Sequence, residues 1–351
     1  MQMDKVLILT DGKAGHENQS KAFARALGCD FDLVEVHFKS GFAKALSYLY
    51  DHLGVRTLSL LKPFALPVGA ASSPSREKDA SPSVRRDGNA SPAHAESYKA
   101  VLGTGSGTFY AAKTLAKKLG VKCGVVLYPR GYAIGSFDCI LAPAFDNPAK
   151  APNVIEIPAN LVANDEAFYE KGTEAFAAHY AKANGRELVR PDNAFAVIVG
   201  GPNTCSTLSV AWMKEQLDKL FALGGAESDP SANRTISYWV TTSRRTPPEV
   251  EALVDTYPWD YKLLYSKDHF NPIPAFVKLA RRLYVTAEST GMLSEACTCG
   301  SAEVYALDNL KPGPHKFRRF VENLRAGGYV EGNRKVNLSA EILSARDLLD
   351  L

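Results

Sequence analysis

No run of apolar residues in this chain approaches the roughly 20 that a membrane-spanning helix needs. The polar start MQMDK, followed at once by an apolar strand, does not read as a signal peptide, so the cytoplasm is the expected location. The six cysteines, Cys29, Cys123, Cys139, Cys205, Cys297 and Cys299, form no CxxC pair, and most fall in or beside expected strands and helices. They read as reduced, mostly buried thiols rather than a disulfide framework. The seven histidines include no HExxH and no cluster with cysteine, which gives no support to a structural zinc. An excess of one charge is missing too. The 41 basic residues stand against 38 acidic ones, and a net charge of +3 makes no case for nucleic acid as a partner.

What is present is an ordinary globular composition, 46% hydrophobic and 23% charged, in a chain of 351 residues, too long for one core and suited to about two domains. The N-terminal half runs strand, loop, helix from its first residues. Lys5–Thr10 is an apolar strand, the loop Asp11 to Gln19 follows, and a helix is expected from about Ser20 to Leu27. Within that loop Gly12 and Gly15 permit close backbone approach, and Asp11, Lys13, His16 and Gln19 give more polar density than a turn requires. Further strands at Phe31–Phe38, Tyr98–Leu102, Val121–Tyr128, Asp138–Ala142 and Val154–Ile157 alternate with helices and loops to make one doubly wound sheet. Gly105 lies in a second glycine loop after one of these strands, and Arg130 follows another. Residues 68–97 are rich in Ser, Pro, Ala and mixed charge and read as a disordered insertion.

A helical segment over residues 161–190 is expected to connect this domain, residues 1–160, to a second one over 191–335. The second domain repeats the design. Phe195–Val199 leads into Gly200, Gly201, Pro202, Asn203 and Thr204. The strand Thr235–Thr241 ends in Ser243, Arg244 and Arg245, an arginine pair apt for bidentate contact with phosphate oxygens. The strand Leu283–Ala287 runs into Glu288, Ser289, Thr290, Met292 and Glu295, where Ser289 and Thr290 are suited to cap a helix whose positive end would face a diphosphate. The last helix, in residues 336–351, is apolar at regular spacing and is expected to cross back to the first domain.

Taken together, TDGKAGHENQ, GGPN, TTSRRTP and VTAESTGMLSEA, in that order, resemble the elongated-mitochondria fission-factor family over essentially the whole chain apart from the Ser/Pro insertion. The wider architecture looks like the GT-B glycosyltransferases, which implies two Rossmann-like α/β domains facing a cleft. By that resemblance Gly200, Gly201, Asn203 and Thr204 form a donor loop, and Ser243, Arg244 and Arg245 a phosphate-facing turn. Ser289, Thr290 and Met292 line a helix start, and Glu288 or Glu295 holds the donor's ribose or sugar. Asp11 or His16 is the expected general base, with Gly12, Lys13, Gly15, Gln19, Gly105 and Arg130 on the acceptor side. No DxD pair accompanies the motifs, so the expected reaction is metal-independent transfer from a nucleotide-sugar to an acceptor hydroxyl, without a cofactor. Cell-envelope glycan synthesis, a lipid-linked acceptor and peripheral contact with the inner membrane fit that expectation. Two rival readings stand beside it: a non-catalytic adaptor that recruits a protein partner to a membrane surface, and a nucleotide-sugar epimerase.

Overall fold

The computed structural model describes residues 3–67, 98–189, 191–228 and 235–351; the expected disordered insertion, 68–97, lies outside the described residues. The chain divides into two compact units, one formed by Met1–Ile157 with Leu338–Leu351 and the other by Pro158–Asn337.

The first unit alternates strand and helix: β1 (Lys5–Thr10), α1 (Ala14–Ala26), β2 (Asp30–Glu35), α2 (Gly41–His52), β3 (Ala100–Thr104), α3 (Phe109–Leu119), β4 (Lys122–Val126), β5 (Cys139–Pro143) and β6 (Val154–Ile157). The strands lie in the order β2-β1-β3-β4-β5-β6, all parallel, with Val6 opposite both Phe31 and Ala100. Strands β1 and β3 are continuous apolar runs because helices cover both faces of a parallel sheet, so neither side can afford polar residues. At the edge, β2 buries only Val34. Leu7, Leu9, Val101, Phe109, Tyr110 and Val125 lie in the core on one face. Gly120, at φ 69°, ends α3 in the left-handed conformation that stops a helix without strain.

The second unit begins with α4 (Glu166–Asn184), so the segment expected to connect the domains belongs to this unit, where α4 packs on a later helix. It continues with β7 (Ala194–Val199), α5 (Val210–Glu227), β8 (Ser237–Thr242), α6 (Pro248–Asp255), β9 (Tyr261–Leu263), α7 (Ile273–Leu279), β10 (Arg282–Thr286), α8 (Thr290–Thr298), β11 (Glu303–Leu307) and α9 (Lys316–Ala326). The parallel order is β11-β10-β7-β8-β9, over a core that includes Phe195, Val197, Met213, Leu217 and Val240. The final helix, α10 (Ser339–Leu349), returns to the first unit and packs against β4, β5 and β6.

Both sheets reverse direction once. In the first unit the reversal falls between β1 and β3, and in the second between β7 and β10. At such a point the helices that follow the two adjacent strands lie on opposite faces of the sheet, and a crevice is left at its carboxyl end.

Candidate functional site

In the first unit the loops that leave β1 and β3 meet at the reversal. Asp11 directly follows β1, and its carboxylate, only 8% exposed, lies 3.1 Å from Lys13 Nζ and 3.0 Å from His16 Nδ1. Burial pushes the Asp11 carboxyl up, but the hydrogen bond from Lys13 and the charge and hydrogen bond of His16 outweigh it, so the acid is held below the ordinary aspartate value. Facing an ionised carboxylate, His16 in its neutral form presents Nδ1 as the donor and keeps its lone pair on Nε2; among the described residues Nε2 has no hydrogen-bond partner.

The pair sits hard against the loop after β3. A Cβ at Gly105 would come within 2.6 Å of His16 Nδ1, and one at Gly107 within 2.6 Å of Asp11 Oδ2, so side chains at these positions would push the pair out of place. Lys44 of α2 donates to Ser106 in the same loop at 2.9 Å, and Ser20 and Thr104 share a buried hydrogen bond of 2.7 Å that fixes α1 to β3.

One expectation is corrected at this edge. The stretch Ala14 to Gln19 is not loop, because α1 starts at Ala14, so Gly15, His16 and Gln19 lie in its first turns. Gly12, at φ +77°, makes the sharp turn, whereas Gly15 has open space around it and answers no steric need. Arg130 follows β4, two strands along from β1; it donates to the Asp146 carbonyl and lies 5.7 Å from the Tyr128 ring centre, away from the Asp11–His16 pair's strand.

In the second unit three loops converge at the carboxyl ends of β10, β7 and β8. Glu288, 3% exposed, is the clasp. Its Oε1 accepts from the Gly201 amide at 2.8 Å and the Thr286 hydroxyl at 3.1 Å, and its Oε2 accepts from Asn309 Nδ2 at 2.7 Å. The Gly200 amide donates to Thr286 Oγ1 at 2.9 Å. Both glycines are needed for the approach: a Cβ on Gly200 would run into Glu288 Oε1, and one on Gly201 into the Arg245 backbone. Thr246 closes the third side, donating to the Gly200 carbonyl at 2.7 Å while accepting from the Ser243 amide at 2.9 Å.

The amides at the start of the expected donor loop are already engaged within the protein. Those of Gly200 and Gly201 are spent on Thr286 and Glu288, and Asn203 folds its own loop by accepting from the Cys205 amide at 2.8 Å. The Thr204 carbonyl accepts from Lys311 Nζ at 3.0 Å. What stays open is the start of α8. Its amides at Thr290, Gly291 and Met292 have no intrahelical acceptor, Ser289 occupies the cap position but makes no side-chain capping bond, and nothing lies within 4 Å of a Cβ placed on Gly291. Arg244 and Arg245 are exposed on the turn after β8, which packs on the Gly200–Gly201 loop, and among the described residues neither guanidinium has an ion-pair partner.

The two acidic residues expected to hold a sugar thus do different work. Glu288 has both oxygens engaged inside the loop clasp. Glu295 points instead to α4, accepting from Tyr169 at 2.8 Å and Asn164 at 3.5 Å, and burial pushes its carboxyl above the ordinary glutamate value. Sequence reading passes over Thr246 and Asn309. Thr246 falls inside the SRRTP motif, but Asn309 carries no local signal. It also passes over a cavity of about 500 Å³ at the ends of β8 and β9, lined by Ser243, Arg244, Glu251, Leu264, Tyr265 and Lys267. Among the described residues no group of three or more His, Cys, Asp or Glu could hold a metal ion, and no helix is long and apolar enough to cross a membrane.

Comparison with known proteins gives overall likeness at low identity. A putative UDP-N-acetylglucosamine 2-epimerase from Listeria monocytogenes is 13% identical, covering 100% of this chain and 89% of its own, with a TM-score of 0.49. UDP-GlcNAc 2-epimerase from Neisseria meningitidis, solved bound to UDP-GlcNAc, is 12% identical over 98% of this chain and 90% of its own, with a TM-score of 0.48. The glycotransferase of kitacinnamycin is 11% identical over 100% and 94%, with a TM-score of 0.44. Among curated proteins nothing matches. The sequence model described as mitochondrial fission ELM1 matches residues 14–343, and the chain belongs to that family.

Proposed function

We propose that the protein is a glycosyltransferase that moves a sugar from a nucleotide-sugar to an acceptor hydroxyl, with the donor held by the second unit and no metal required. The observation that carries this reading is the uncapped start of α8, where the strand order reverses, together with two arginines on the turn after β8, two strands along, that have no ion-pair partner among the described residues. A diphosphate suits it: free amides and the helix dipole favour an anion, and guanidinium groups contact phosphate oxygens two at a time. The cavity bordered by Arg244 and Tyr265 adjoins that turn and has room for the rest of a nucleotide.

In the step itself the acceptor oxygen forms a bond to the sugar's anomeric carbon. The bond from that carbon to the diphosphate oxygen breaks, and its electron pair leaves with the diphosphate. The acceptor's proton passes to His16 Nε2, and Asp11 stabilises the imidazolium that results. Arg244, Arg245 and the α8 amides offset the negative charge that develops on the leaving group, the role a bound cation fills in other transferases. Asp11 is then the group that orients the base rather than the base, since its carboxylate is committed to His16 and Lys13.

The experiment is a donor-turnover assay with UDP-, GDP-, ADP- and CMP-sugars, run with EDTA and read both as released nucleotide and as the identity of the sugar. Nucleotide released from one donor, reduced in His16→Ala, supports transfer with hydrolysis as its background reaction. An isomerised sugar formed without acceptor would replace the transferase reading with epimerisation, and folded protein that turns over none of the donors would leave the adaptor reading in its place.

A further inference from the structure

The outer face of α2 is apolar where a surface helix is ordinarily polar. Phe42, Leu46, Leu49 and Leu53 recur at i, i+4, i+7 and i+11, which lines them up along the helix. Phe42 is 77% exposed, Leu49 55% and Leu53 66%, and Val55 just beyond is 40% exposed. Leu46 is partly buried against the core, so the exposed part of the stripe is Phe42, Leu49 and Leu53. The opposite side carries the buried Ala43, Ser47 and Asp51, and Asp51 is locked by Lys113 Nζ at 2.8 Å.

The N-terminal end of the stripe is cationic. The segments around Lys39 and Lys62 run side by side, joined by hydrogen bonds from the Lys39 amide to the Leu60 carbonyl at 2.9 Å and from the Lys62 amide to the His37 carbonyl at 2.8 Å. Both lysines are exposed, and among the described residues neither has an ion-pair partner. Between residues 36 and 67 the sequence has one carboxylate, the buried Asp51, and the exposed Glu35 just before them is paired with His37 at 2.8 Å. Large apolar side chains bordered by unpaired lysines are the makings of an interfacial helix, in which the apolar face enters the acyl boundary and the cations meet anionic headgroups.

We propose that α2, with Lys39 and Lys62, is a docking surface for an anionic lipid bilayer. A second copy of the chain fits less well, because a two-fold contact through this face would set lysines against lysines. Residues 68–97, which follow directly in sequence, offer only Val68 and Val84 beyond alanine as apolar side chains to cover the stripe. The proposal stands without the transferase reading. Its consequence for that reading is local to the first unit: Lys44 of α2 reaches Ser106, so docking would bring the Asp11–His16 edge beside the membrane, within reach of an acceptor anchored there.

Vesicle flotation of the full chain tests this, with vesicles of phosphatidylcholine alone and of phosphatidylcholine mixed with phosphatidylglycerol. The native chain is expected to float with the anionic vesicles and much less with the neutral ones. Leu49→Ser combined with Leu53→Ser is expected to cut the bound fraction about tenfold with thermal unfolding unchanged, since both side chains are exposed. Lys39→Glu combined with Lys62→Glu is expected to abolish the preference for anionic vesicles. The proposal is overturned if the native chain floats with neither vesicle, or if both double variants float as it does. It is equally overturned if the native chain is a dimer in solution that the leucine variant dissociates, because the stripe would then be covered by a second copy.

Discussion

At the scale of single residues, engaged and free side chains do different work. His16 keeps Nε2 free while Asp11 holds Nδ1, so His16→Ala should lower the transfer rate by about 10²- to 10⁴-fold. Asp11→Asn should also lower it while leaving donor affinity unchanged, a separation that steady-state kinetics with a varied donor resolves. Glu288 behaves in the opposite way. With its oxygens taken up by Gly201, Thr286 and Asn309, Glu288→Ala strands buried donors and should cost about 3 kcal/mol or more in stability, measured by urea unfolding. Part of this was legible in the sequence. The density of polar residues around Asp11 and the paired arginines pointed to segments that do follow the carboxyl ends of β1 and β8, because such residues at strand ends have few structural duties. The clasp was not legible, since the partner of Gly201 is a glutamate 87 positions away and that of Glu288 an asparagine with no motif around it.

At the scale of elements, the apolar runs of β1, β3, β7 and β10 announce themselves, because strands buried on both faces leave no room for polar interruption. The start of α1 does not. Lys13 occupies its cap position without a capping bond, and the glycine at 15 and the polar run after it mimic a loop until the packing of Ala22, Phe23 and Ala24 draws the whole segment into one helix. A helix contact also sets a pH dependence. The Glu295 carboxyl on α8 is raised by burial against Tyr169 of α4, so its contribution to stability is complete below the unfolded glutamate value, about 4.3, and is lost as pH rises through the higher value in the folded protein. Glu295→Gln keeps an acceptor for Tyr169 and removes the buried charge. The variant should match the native protein near pH 4 and melt higher than it at pH 7, as differential scanning calorimetry would record.

At the scale of the whole molecule, the chain completes its first unit only with its last residues. Leu349 is fully buried, a Cβ on Gly124 of β4 would lie 3.2 Å from its Cδ1, and Asp350 reaches Lys122 at 3.3 Å. Leu349→Ala should therefore destabilise the first unit by about 2–5 kcal/mol, read as earlier exchange of its strand amides with those of β7 and β10 unchanged. The apolar spacing of α10 was visible in the sequence, whereas the strands it covers depend on contacts with residues more than 180 positions earlier. Whether the second unit binds a nucleoside diphosphate, as proposed, is read by calorimetric titration of the folded protein with UDP-, GDP-, ADP- and CMP-sugars in EDTA. Saturable binding of at least one of them is expected, weakened about tenfold or more when Arg244 and Arg245 are both changed to alanine. Folded protein that binds none of them, or binding that the double change leaves untouched, would contradict the proposal.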